Sequence, residues 1–126
     1  MAEKKVVIVD DDESIRKTFF LLLSERYNVY LARDAREALA RFEKSPVDLI
    51  IADFRLPRKN GLQMLQDFRQ AGYKGRIILI SAFSDQIKEE EVARLGVDKV
   101  FLKPLDLKSL TEAIDLLLGE QVSETA

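Results

Sequence analysis

The chain alternates short, mostly β-branched apolar runs with longer stretches whose apolar positions recur at helical spacing. Val6 to Val9, Leu49 to Ala52 and Arg76 to Ile80 are nearly continuous hydrophobic runs, as expected of strands covered on both faces of a parallel sheet. Asn28 to Ala32 is more polar and reads as an edge strand, and Val97 to Leu102 reads as the fifth strand. The first helix is expected over Glu13 to Arg26, with Ile15, Phe19, Leu22 and Leu23 inward and Phe20 directed toward the last helix. Asp34 caps a second helix over Ala35 to Lys44, which Ser45-Pro46 breaks, and a third runs from Leu62 to about Gln70. Asp85 opens a charged helix that stops at Gly96. Asp106 caps the last helix, where Leu107, Leu110, Ile114, Leu117 and Leu118 share one stripe up to Gly119. Residues 1–119 thus read as one domain and residues 120–126 as a polar tail.

Five strands alternating with five helices predict an α/β fold, a doubly wound five-stranded parallel sheet with helices on both faces. Right-handed crossovers favour the flavodoxin-like order 2-1-3-4-5. That order sets the carboxyl ends of the first, third, fourth and fifth strands side by side. They carry Asp10 and Asp11, Asp53, Ser81 and Lys103. Neighbouring strands lie ~4.8 Å apart, and sheets of this kind bind ligands beyond their carboxyl ends. Four chain segments therefore converge on one pocket.

Composition narrows the chemistry. The 126 residues contain neither cysteine nor histidine, which removes thiol nucleophiles, Ser-His and Cys-His pairs and Cys/His zinc sites. A net charge of −2 argues against direct nucleic-acid binding. No signal peptide and no apolar run of ~20 residues is present, so the expectation is a soluble cytoplasmic protein without membrane contact. Three crowded carboxylates repel one another, and a divalent cation relieves them. Oxygen ligands alone point to Mg2+ or Mn2+, with a backbone carbonyl after Asp53 completing the shell. Such a pocket suits a phosphoryl group: Asp53 as in-line nucleophile, Lys103 and the ion against the equatorial oxygens, Ser81 as hydrogen-bond donor. With no histidine in the chain, the phosphoryl donor comes from outside. Seen singly these residues have ordinary readings, since an aspartate after a strand usually caps a helix, a role that Asp12 or Glu13 fills here. Their joint placement carries the argument.

Val9 to Arg16 (VDDDESIR), Asp48 to Gly61 (DLIIADFRLPRKNG), Ile80 to Ala82 (ISA) and Lys103 to Leu105 (KPL) together resemble the receiver domain of two-component response regulators, over about Lys4 to Leu118. The resemblance implies Asp53 as phosphoacceptor, Asp10 and Asp11 as the acidic pair for Mg2+, and the main-chain carbonyl of Arg55 as a further ligand. It implies Ser81 in the switch position, Lys103 against the phosphate, and a cis Lys103-Pro104 bond. It also implies a sensor histidine kinase or histidine phosphotransfer protein as donor, docking on the first helix through Ser14, Ile15, Thr18 and Leu21. The expected output is contact with a downstream protein target, as a monomer or weak dimer. The chain would be a stand-alone receiver or one cut from a longer regulator, and no enzyme beyond its own phosphorylation and dephosphorylation. Receivers usually carry Tyr or Phe three residues before the lysine; here Val100 stands there, and Phe101 faces the opposite side of the strand. Arg55 and Phe83 are expected to project over the pocket mouth and shield the acyl phosphate.

Two rivals remain. A small Mg-dependent phosphatase of the haloacid dehalogenase type would use Asp10 as nucleophile and Asp12 as acid/base, leaving Asp53 without a role. An FMN-binding flavodoxin would need a hydroxyl- and glycine-rich loop where this chain has three aspartates.

Overall fold

Both faces of the central strands are apolar, and helices cover both. The computed structural model describes residues 3–82 and 84–119, so the expected tail over 120–126 and the side chain of Phe83 lie outside the described residues. In chain order the elements are β1 (Lys5–Val9), α1 (Glu13–Leu23), β2 (Asn28–Ala32), α2 (Ala35–Lys44), β3 (Leu49–Asp53), α3 (Gly61–Gln70), β4 (Arg76–Ser81), α4 (Glu89–Leu95), β5 (Lys99–Leu102) and α5 (Leu107–Leu118). The five strands form one parallel sheet in the order β2-β1-β3-β4-β5, as the pattern predicts. No helix among the described residues is long and apolar enough to cross a membrane.

Alternation along each strand sorts the core into two layers. Val6, Ile8, Leu49, Ile51, Ile78 and Ile80 meet Phe19 and Leu23 of α1 and Leu110 and Ile114 of α5. Val7, Val9, Ile50, Ala52, Ile77 and Leu79 face Ala38 of α2 and Leu62, Leu65 and Phe68 of α3. β3 is buried along its whole length, whereas β5 is mostly exposed and α4 has no buried residue.

Several local expectations are corrected. α1 ends at Leu23, short of the expected end near Arg26, because Arg26 N–H tightens onto the Leu23 carbonyl three residues back and the chain then turns toward β2. Strand pairing of β5 begins at Lys99, opposite Ile78, because Asp98 turns its carboxylate to Ile77 N–H and Arg76. α4 starts at Glu89, and Asp85 does not cap it: the Asp85 carboxylate is engaged by Ala82 N–H and Arg55. Phe20 does not reach the last helix; it is 42% exposed and lies with Lys17 and Leu21 beside Leu31 of the edge strand.

Candidate functional site

Buried apolar strands deliver polar residues only where they run out. Asp53 is the last residue of β3 and is 4% exposed. Its Oδ1 accepts from Arg55 N–H at 3.1 Å, and its Oδ2 accepts from Lys103 Nζ at 2.9 Å. Lys103 arrives there because the β4–β5 ladder extends one residue past β5: Lys103 N–H donates to the Ser81 carbonyl at 2.9 Å. The Lys103-Pro104 bond that follows is cis. Partial burial works against the Lys103 charge, but its hydrogen bond to Asp53 and the charges of Asp53, Asp10 and Asp85 outweigh it, raising its pKa above the ordinary lysine value.

β1 lies beside β3 in register Val9↔Ala52, which brings the following residues of both strands together. One carboxylate oxygen each from Asp10, Asp11 and Asp53 lies within 4.8 Å of the other two. Clustered carboxylate oxygens with no nitrogen or sulfur donor among them make a donor set that suits a hard cation such as Mg2+ or Mn2+. Asp10 is buried and Asp11 exposed, which leaves the cluster open on one side. Burial pushes the Asp10 carboxyl up to about 6; the hydrogen bond from Asp12 N–H works against that, and the nearby Asp53 charge adds to it. Ser81 is buried at the end of β4, one residue beyond Ile80, the register partner of Asp53. The structure thus gathers Asp10, Asp11, Asp53, Ser81 and Lys103 at one end of the sheet.

Asp12 takes the capping role, accepting from Ser14 N–H and Ile15 N–H at the start of α1. Along α1, Ser14, Thr18 and Leu21 are exposed, with Leu21 at 79%, while Ile15 is half-buried against the core. The Arg55 side chain does not lie free over the pocket: its Nε pairs with Asp85 at 2.5 Å. Val100 is 41% exposed in a groove with Ser81, Ala82, Val97 and Leu102, and Phe101 packs into the opposite layer. The side chain at the usual aromatic position is therefore a short one beside an open groove.

Three neighbours of the site escaped the sequence reading. Arg16 donates from its guanidinium to the Asp10 carbonyl at 2.6 Å. Gly61 sits so close to the acceptor strand that a Cβ would lie 2.6 Å from the Asp53 carbonyl oxygen; the Asn60-Gly61 pair gave a turn signal, which is weaker than this steric demand. Asp85 carried a signal only as a helix opener.

Residues 6–115 match the response regulator receiver domain family. The chain is 32% identical over 114 residues to response regulator RR06 of Streptococcus pneumoniae, covering 90% of this chain and 52% of that protein. It is 32% identical over 115 residues to the transcriptional regulatory protein CpxR of Klebsiella pneumoniae, covering 90% of this chain and 49% of that protein. The chain thus spans about half the length of these relatives. Among solved structures, the CheY-like receiver domain protein of Methanospirillum hungatei superposes with a TM-score of 0.86 at 28% identity, over 98% of this chain and 99% of that one. Chemotaxis protein CheY4 of Vibrio cholerae gives 0.82 at 30% identity, over 92% and 99%. With the strand order and the acidic strand ends already in place, these matches show that the chain belongs to the response regulator receiver domain family of two-component signalling.

Proposed function

We propose that Asp53 accepts a phosphoryl group from the phosphohistidine of a sensor histidine kinase or histidine phosphotransfer protein, in a Mg2+-dependent reaction. The observation that carries this reading is the pairing of the Asp53 carboxylate with Lys103 at 2.9 Å inside an acidic cluster shared with Asp10 and Asp11. A carboxylate oxygen of Asp53 attacks phosphorus, the bond to the donor nitrogen breaks, and the donor imidazole leaves with the electron pair. Asp10, Asp11, Asp53 and the Arg55 main-chain carbonyl would hold the ion, which supplies positive charge against the transferring oxygens. Lys103 stays beside the new acyl phosphate as a fixed cation, and Ser81 is the hydroxyl donor on its other side. The exposed part of α1, Ser14, Thr18 and Leu21 with the half-buried Ile15, is the docking surface for the donor. Output follows by contact with a protein target, and the exposed position of Val100 supports a readout other than aromatic rotamer exchange.

Incubation with acetyl phosphate and Mg2+, followed by mass spectrometry, tests the assignment. The expected product carries one phosphoryl group on Asp53, is absent in Asp53→Asn and without Mg2+, and is strongly reduced in Lys103→Ala. Phosphate-ester turnover that survives Asp53→Asn but not Asp10→Asn would replace this reading with the phosphatase one.

A further inference from the structure

The β3–β4 ladder stops one bond short of the Ala82 amide. Phe54 N–H donates to the Ile80 carbonyl at 2.7 Å, and a parallel ladder would next pair Ala82 N–H with the Phe54 carbonyl. That carbonyl instead accepts from Gly61 N–H at 2.7 Å. The Ser81 carbonyl points to β5, where Lys103 N–H meets it. Across the trans Ser81-Ala82 peptide the Ala82 N–H points the opposite way, toward β3 at the level of Phe54, the residue after Asp53. A second donor stands nearby in Arg55, two residues beyond Asp53.

Both donors are held by one anion of the protein's own. Asp85 Oδ2 accepts from Ala82 N–H at 2.8 Å, and Oδ1 accepts from Arg55 Nε at 2.5 Å. The Asp85 side chain is completely buried, although the Arg55 side chain is 67% exposed. A buried carboxylate bridging two loops at the rim of an anion pocket occupies groups that would otherwise face a bound phosphoryl group. We infer that Asp85 is a positioning residue: it keeps the Ala82 amide and the Arg55 guanidinium occupied in the resting form and surrenders them when Asp53 is phosphorylated. The inference rests on the reading of Asp53 as acceptor. A phosphoryl group on Asp53 brings three strong acceptor oxygens to these donors and repels the Asp85 carboxylate.

The consequence reaches α4. That helix begins at Glu89 with no side-chain cap, and its amino-terminal approach is tied down through Asp85. Its far end is held separately, by Arg69 donating to the Leu95 and Gly96 carbonyls at 2.8 and 3.2 Å. Release of Asp85 frees the near end alone, so α4 pivots about Arg69 and reshapes the groove lined by Ile87, Val92, Val97 and Val100.

The test compares the wild type with Asp85→Ala and Asp85→Asn in the full chain, loaded with acetyl phosphate and Mg2+. Asp85→Ala is expected to load Asp53 roughly fivefold faster, the scale of one lost charge-assisted hydrogen bond partly screened by water. Asp85→Asn falls between, because its amide oxygen still accepts from Ala82 N–H; it also stands in if Asp85→Ala does not fold. Amide hydrogen exchange separates release from a simple charge effect. In the wild type, loading speeds exchange at Glu91 and Val92, whose N–H groups bond to the Lys88 carbonyl, and in Asp85→Ala those amides exchange fast before any loading. Equal or slower loading in both variants, or exchange at Glu91 and Val92 that neither loading nor substitution moves, overturns the inference. A wild type that takes no phosphoryl group on Asp53 overturns the functional reading instead.

Discussion

The two halves of the sheet are built to different standards. β1 and β3 lie between two complete apolar layers, and every residue of β3 is buried. At the β5 edge the strand is largely exposed, α4 buries none of its residues, and Val100 borders an open groove. The acidic cluster hangs from the first half, and the groups bridging to the second half are polar: Lys103 on Asp53, and Asp85 between Ala82 and Arg55. A rigid support fixes the distance between carboxylates, which ion binding and in-line attack require. A sparsely packed neighbour opens at low free-energy cost, which a signal needs. On the proposed reading, chemistry and response fall to different packing densities within one sheet.

The sharpest way to break this contrast is to truncate one β-branched apolar side chain on each side. Ile51→Ala in β3 is expected to cost about 3–4 kcal/mol by urea unfolding, because a fully buried side chain leaves a cavity. Val92→Ala in α4 is expected to cost about 1 kcal/mol or less. Comparable losses would mean that the edge is not the softer half. Gly61→Ala comes next: its Cβ would press on the Asp53 carbonyl, costing about 1–3 kcal/mol and slowing phosphorylation of Asp53 in the acetyl phosphate assay.

A smaller effect of opposite sign is expected from Asp10→Asn. Asp10 is raised in the fold to about 6 from an ordinary 3.8, so its protonated form is the one the fold favours. Its contribution is most stabilising below the unfolded value and is lost as pH rises through about 6. Without divalent cation, Asp10→Asn should therefore be more stable than the wild type by about 1 kcal/mol at pH 8, with the gap closing toward pH 4. Thermal unfolding at both pH values checks it. A gap that widens on acidification would contradict the assignment of burial as the cause. Saturating Mg2+ should stabilise the wild type and leave Asp10→Asn nearly unmoved. The smallest expected difference is kinetic: amides of α4 should exchange well ahead of those of β3 in the resting protein.

Much of this architecture is legible in the chain. Val6 to Val9 and Leu49 to Ala52 can be little other than doubly covered strands, and crossover handedness then leaves few ways to order them. Once the order is known, the polar residues that end those runs must meet. The misreadings share a cause. Asp85 has the residue type of a helix cap, yet Ala82 N–H and Arg55 claim its carboxylate and α4 starts four residues later. Phe20 sits off the inward stripe of α1, but helical spacing does not say that Leu31 lies on that side and the last helix on the other. Gly61 reads as a turn residue until the Asp53 backbone is found against it.

Hydrophobic periodicity is a local property, and through it the sequence alone determined the ten elements, their layering and the meeting of Asp10, Asp11, Asp53, Ser81 and Lys103. Only the tertiary structure decided which donor each carboxylate takes, where α4 begins and which edge is left loosely packed. Those outcomes depend on competition among groups far apart in the chain: a side-chain oxygen binds the donor that folding brings nearest, whatever its neighbours in sequence would allow.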